Sequence, residues 1–253
     1  MMFERDFCMK KLFFALLLAT FIGNAFADDK LPDLKIEKLA YGVYLHTSYK
    51  VVDGYGLVDS NGLVVLDHKD AYILDTPWTA EDTEKLLAWI KAQGFTLKAS
   101  LSTHFHEDRT AGIAVLNARH IPTYASAMTN RLLGKMGRAQ ASHTFDNGDF
   151  WLVKNRIEVF YPGPGHSRDN VVVWLPQQKI LLGGCFVRSA ESTDLGNVAD
   201  ADVSQWPQSA EKLKTRYRNV SLVIPGHGKI GDASLLEHTL ELASAASAKP
   251  ANP

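Results

Sequence analysis

Short apolar runs broken by turn residues dominate the first third of the chain. Gly42–Thr47, Gly56–Asp59, Leu63–Asp67 and Ala71–Leu74 are rich in Val, Leu, Ile and Tyr, and they predict strands. The period then lengthens. Thr79-Ala80-Glu81-Asp82 opens a capping box, and Leu86, Leu87 and Ile90 form the apolar stripe of a helix ending at Gly94. Leu97–Leu101 predicts a buried strand, followed by helices over about Ala111–Asn117 and Ala125–Leu133. Four more strands are predicted at Phe150–Val153, Ile157–Tyr161, Val171–Leu175 and Ile180–Leu182. Trp206–Tyr217 reads as a helix, Leu222–Ile224 as a strand, and Asp232 as the cap of a last helix through Leu242, with a frayed tail from Ala243. Strands meet helices in both halves, and no linker or repeat intervenes. One α/β domain over residues 28–253 is expected, its sheets covered by helices on their outer faces.

One segment has another character. Met9-Lys10-Lys11, the apolar run Leu12–Ile22 and Ala25-Phe26-Ala27 have the charge, length and exit of a secretory signal peptide, cleaved after Ala27. Met9 is an alternative start. The run is too short to span a bilayer, so a periplasmic protein without a membrane anchor is expected. Cleavage removes three basic and two acidic side chains of the 27 and 28 present, leaving a formal net charge of −2. Such a balance lacks the basic excess of a nucleic-acid binder.

Export makes the cysteines informative. Cys8 leaves with the signal, and Cys185 stays alone in a compartment that oxidises thiols. It is either an inert core residue or a thiolate wanted for chemistry or metal. Its neighbours favour the second. Four clusters of metal-type residues each follow a predicted strand: His104-Phe105-His106-Glu107-Asp108, Pro162-Gly163-Pro164-Gly165-His166, Gly183-Gly184-Cys185 and Pro225-Gly226-His227. Two histidines at i and i+2 project to one side of an extended segment, and an aspartate at i+4 joins them. Loops at strand ends converge on one edge of an α/β layer. Six ligands are too many for one tetrahedral zinc and suit two ions with three each, leaving the open position of a catalytic site. A water or hydroxide bridging two such ions is a nucleophile at neutral pH. His46, His68, His120, His143 and His238 lack such a setting and read as surface or ordinary hydrogen-bonding residues.

In this order, His-x-His-x-Asp, Pro-Gly-x-Gly-His, Gly-Gly-Cys and Pro-Gly-His resemble the class B metallo-β-lactamases, subclass B1. The likeness extends to Leu74-Asp75-Thr76-Pro77 and Leu195–Ala201 and runs from Ile36 to Leu242. Arg109 stands where the wider superfamily usually has a further histidine, and other branches lack the ligand cysteine. The resemblance implies an αβ/βα sandwich of two mixed sheets, and two Zn²⁺ per chain. His104, His106 and His166 would hold the first ion, and Asp108, Cys185 and His227 the second. It further implies a periplasmic carbapenemase, active as a monomer on small-molecule β-lactams and conferring antibiotic resistance. The implied nucleophile is a zinc-bound hydroxide oriented by Asp108, with Asn197 donating to the oxyanion. Arg188, three residues past Cys185, replaces the family's frequent Lys toward the substrate carboxylate. Tyr55 belongs to a flap, Ser48–Tyr55, whose Asp53-Gly54 also signals a hairpin turn. Asp75 matches a buried carboxylate supporting the zinc-ligand loop. Alternatives are a thioester or phosphodiester hydrolase of the same fold, and a non-catalytic zinc binder, which should close each ion with four ligands.

Overall fold

The N-terminal strands form one continuous antiparallel ladder. β1 (Lys35–Ala40), β2 (Val43–Val52), β3 (Gly56–Asp67) and β4 (Asp70–Leu74) pair in succession. β5 (Thr96–Leu101), β6 (Thr123–Ser126) and β7 (His143–Phe145) add in parallel beyond β4, completing a mixed seven-stranded sheet in order β1 to β7. A second mixed sheet runs β12-β11-β10-β9-β8. In it β8 (Phe150–Val153), β9 (Ile157–Phe160), β10 (Val172–Leu175) and β11 (Ile180–Gly184) are antiparallel, and β12 (Leu222–Pro225) lies parallel to β11. The computed structural model describes residues 30–146 and 150–249, so the expected signal peptide lies outside the described residues. All that follows concerns the compact unit Leu31–Pro253.

Side chains alternate between two buried faces, which makes the core strands almost wholly apolar. On β3, Leu63 and Val65 enter the layer between the sheets with Leu101, Val173 and Leu182. Val64 and Leu66 point the other way, under Leu86 and Ile90 of α1 (Ala80–Ala92). Val172 and Trp174 of β10 likewise meet Trp206 and Leu213 of α5 (Trp206–Arg216) and Leu236 of α6 (Ser234–Ser247). The layers are therefore helix, sheet, sheet, helix, the sandwich expected. Each such Leu, Val or Ile contributes about 1.5–3 kcal/mol on burial.

Several boundaries differ from the sequence reading. The two strands expected at Gly56–Asp59 and Leu63–Asp67 are one, because the polar groups of Ser60 and Asn61 are bonded within the protein and do not break the ladder. The helix expected at Ala111–Asn117 is α3 (Ile113–Ala118), and an unpredicted turn, α2 (Glu107–Thr110), precedes it, so Asp108 sits inside a helical turn. Thr110 Oγ1 donates back to His106 O at 2.8 Å. Ala125 and Ser126 end β6, and α4 (Ala127–Lys135) begins after Ser126, whose Oγ accepts from Thr129 N at 3.0 Å. β1, β6 and β7 had no strand prediction. α6 runs to Ser247 rather than Leu242, since Ala243 is fully buried in the layer beneath it. Asp232 lies one residue before the N-cap and still accepts from Ser234 N at 2.9 Å.

Candidate metal centre

Parallel pairing brings the clusters together. Leu74 is opposite Leu101, so Asp75 emerges beside Ser102-Thr103, and Gly184 is opposite Pro225, so Cys185 emerges beside Gly226-His227. Gly226 is required by close approach: a Cβ there would stand 2.6 Å from Cys185 Sγ and 2.9 Å from the Arg109 guanidinium. The loop between β9 and β10 delivers His166 to the same edge.

All six expected ligands converge, in two sets. His104 Nε2 lies 3.0 Å from His106 Nδ1, which lies 3.1 Å from His166 Nε2. Cys185 Sγ is 3.3 Å from Asp108 Oδ2 and 3.2 Å from His227 Nε2, and His227 Nε2 is 3.2 Å from Asp108 Oδ2. His104 also comes within 4.8 Å of the Asp108 and Cys185 ligand atoms, so the sets adjoin, but the shorter distances group His227 with those two. A tetrahedral ion with bonds near 2.0–2.1 Å has ligand-to-ligand edges of about 3.3–3.4 Å, close to these values. The donor sets fit zinc: three imidazoles in one, and thiolate, carboxylate and imidazole in the other.

The charge balance agrees. Burial, then the neighbouring imidazoles, hold His104 and His166 well below the ordinary histidine range, in the neutral form that binds metal. Burial opposes the Asp108 carboxylate, yet Arg109 and then His227 keep it ionised, well below the usual range. Burial likewise opposes charge on His227, and the Cys185 sulfur and Asp108 override it, raising its pKa to about 10. His227 is thereby held protonated beside Asp108, and a cation bound there would displace that proton.

The outer ring atoms of His106 and His227 are held as ligand histidines require. His106 Nε2 meets Asp200 Oδ2 at 2.9 Å, and His227 Nδ1 meets Asp59 O at 2.6 Å. Asp75 lies behind the centre, as expected, accepting from Thr103 N at 2.7 Å and Thr103 Oγ1 at 2.9 Å. Burial pushes its pKa up to about 6 against the pull of Arg109 and Thr103. Its backbone is left-handed (φ 61°), and its carbonyl meets His46 Nε2 at 2.9 Å.

Arg109 is the residue whose weight the sequence hid. Its side chain is fully buried, donating to Asp108 Oδ2 at 2.8 Å and to Gly226 O at 2.9 Å, with Asp75 Oδ2 3.6 Å away. It also donates to Asn61 O. One guanidinium thus joins the Asp108 turn, the β4 end, β3 and the His227 loop. A charge beside a ligand aspartate was the available signal, since a buried cation must be paired. Asp200 and Asp59 carried none.

A cavity of about 560 Å³ opens over the ligands; its floor includes His106, Asp108, His166 and His227, and its walls include Tyr55, Arg188 and Asn197. Arg188 is steadied by donation from Nε to Asp194 O at 3.2 Å. The side-chain oxygen of Asn197 accepts from Ala199 N at 3.0 Å. Tyr55 follows the Asp53-Gly54 turn, its N–H on Val52 O at 3.0 Å, and is exposed.

A mixed-sheet sandwich with two adjoining sets of side chains that could hold metal at one edge is the arrangement of a metal-dependent hydrolase. Residues 55–227 match the family model of the metallo-beta-lactamase superfamily, and the chain belongs to that family. A metallo-beta-lactamase type 2 of Pseudomonas aeruginosa is 52% identical over 235 residues, 93% of this chain and 94% of its own length. The crystal structure of the DIM-1 metallo-beta-lactamase exposed to ceftazidime has 54% identity and a TM-score of 0.85, covering 87% of this chain and 100% of that one. The metallo-beta-lactamase FIM-1 of Pseudomonas aeruginosa, solved in a mono-zinc form, has 35% identity and a TM-score of 0.83, covering 87% and 99%. These likenesses support subclass B1 and count against the thioester and phosphodiester alternatives.

Proposed function

We propose that this chain is an exported hydrolase that opens the β-lactam ring of penicillins, cephalosporins and carbapenems with two zinc ions per chain. The observation that carries this reading is the meeting of two three-ligand sets on the floor of a cavity walled by a guanidinium. His104, His106 and His166 would hold one ion, and Asp108, Cys185 and His227 the other. Three ligands leave a position open, which a structural site would not. Zinc bound there supplies Lewis acidity toward a carbonyl and lowers the pKa of water toward neutrality.

The chain's own residues do the rest. Arg188 pairs with the carboxylate that β-lactams carry on the fused ring, offering a planar fork rather than a point charge. Asn197, its oxygen committed to Ala199, offers its NH₂ to the carbonyl oxygen as negative charge develops there. Asp108, kept ionised beside Arg109, accepts a hydrogen bond from the attacking water and directs it. Tyr55 on the flap limits water access over the bound ring. Asp75 holds Thr103, and through it the backbone of His104. The signal-like segment supports a periplasmic location; among the described residues no helix is long and apolar enough to cross a membrane. The chain acts as a monomer.

The test is hydrolysis of a carbapenem by the purified protein, with and without chelator, alongside metal analysis. Turnover abolished by chelation and restored by zinc, at two zinc per chain, is expected. Two bound zinc ions without turnover would refute the substrate assignment.

A further inference from the structure

Arg188 and Asn197 wall the ligand cavity from an irregular segment after β11 that runs to Asp200. A side chain that must meet a substrate needs a fixed backbone beneath it. Bonds within the segment shape it: Arg188 Nε donates to Asp194 O, Gly196 N to Asp194 Oδ1 at 2.8 Å, and Ala199 N to Asn197 Oδ1. They do not fix where it lies. Asp200 ties the far end to His106, and Leu195 is buried with Trp206 and Leu236. The Glu191–Lys229 pair, with side chains 50% and 85% exposed, adds little.

The near end is held by α6. Thr239 Oγ1 accepts from Arg188 N at 2.9 Å, and His238 Nε2 lies 2.9 Å from Ser192 O. A carbonyl only accepts, so Nε2 carries the proton and donates. Adjacent residues of one helix thus grip the segment at two points, Arg188 and Ser192. The helix is a firm base, because its Leu235, Leu236 and Ala243 are buried in the layer beneath it. We propose that His238 is a positioning residue for substrate binding: it holds the Ser192 backbone, and with it Asp194, against which the Arg188 guanidinium rests. The inference rests on the β-lactamase reading above, in which Arg188 receives the ring carboxylate. His238 is half-buried and does not line the ligand cavity, so it acts through the main chain. The acceptor is a backbone carbonyl, and the hold is independent of the Ser192 side chain.

Steady-state kinetics of the zinc-loaded full chain on benzylpenicillin test this role. His238→Phe keeps a ring and removes the donor. It is expected to raise KM about three- to tenfold, the worth of one hydrogen bond, with bound zinc unchanged and a smaller change in kcat. His238→Gln, whose amide donates to Ser192 O, is expected to restore most of the loss. In an Arg188→Ala background His238→Phe should cost little further, because no guanidinium remains to be placed. Amide hydrogen exchange across residues 189–199 reads the same hold without turnover, and it is expected to quicken in His238→Phe but not in His238→Gln. An unchanged KM in His238→Phe, an equal loss in His238→Gln, or full additivity with Arg188→Ala overturns the role at Arg188. Unchanged exchange overturns the hold itself. If the wild type hydrolyses no β-lactam while exchange responds as expected, the β-lactamase reading fails, and the substrate role of His238 with it.

Discussion

Replacing Arg109 by methionine keeps most of the buried volume and removes the cation that four segments share. At an effective dielectric of about 20, two unit charges about 4 Å apart attract by about 4 kcal/mol. Arg109 faces two carboxylates, Asp108 at 2.8 Å and Asp75 at 3.6 Å between nearest atoms. The cost of bringing the guanidinium out of water offsets part of that attraction in the native protein, but the variant leaves Asp108 with His227 as its remaining positive neighbour. Breaking a buried pair by deleting one partner costs about 3–5 kcal/mol. Urea unfolding followed by circular dichroism measures it, and the protein must be metal-free, because bound ions break two-state behaviour and compensate Asp108 themselves. Arg109→Met is expected to lose about 3–5 kcal/mol, and Asp108→Asn to be non-additive with it by at least about 1–2 kcal/mol. A loss below about 1 kcal/mol, or strict additivity, would show that Arg109 fills space without holding the ligand turn.

Three further outcomes are expected. Cys185→Ser should fold but bind its second zinc at least roughly tenfold more weakly and hydrolyse substrate far more slowly; unchanged metal content and rate would remove Cys185 from the ligand set. Arg188→Ala should raise KM about 10–100-fold for substrates with the ring carboxylate, the loss of a charged hydrogen bond, whereas a fall in kcat alone would deny it that role. Burial holds His46 at a pKa of about 3, against 6.5 for a free histidine, so the unfolded chain takes up a proton in that window that the folded protein refuses. Its contribution is therefore complete above pH 6.5 and declines with acid by at most about 1.4 kcal/mol per pH unit. Against His46→Gln, in metal-free urea unfolding at pH 7.5 and 5.5, the wild type's relative stability should fall at the lower pH; no change would place His46 in contact with water.

The candidate ligands were legible because their chemistry is local: His104, His106 and Asp108 share one short segment, and His166, Cys185 and His227 each follow a strand rich in branched residues. The alternation of β3 and β10 likewise announced strands, and the strand-end rule predicted that their loops would converge. What stayed hidden depends on neighbours distant in sequence. Arg109 looked like a departure from a motif, because its value comes from Asp75, Asn61 and Gly226. Asp200 was one acid in a polar loop until the fold set it on His106. Ser60 and Asn61 resembled a turn, since unpaired polar groups usually end a strand, and only the opposing Asp108 turn and His227 loop could satisfy them in place. Residue type and period thus determined, by themselves, which side chains could bind metal and which segments were strands. Tertiary structure alone decided which buried charges and polar groups are paired, because that pairing forms between chain segments as much as 169 residues apart, such as Asp59 and Gly228.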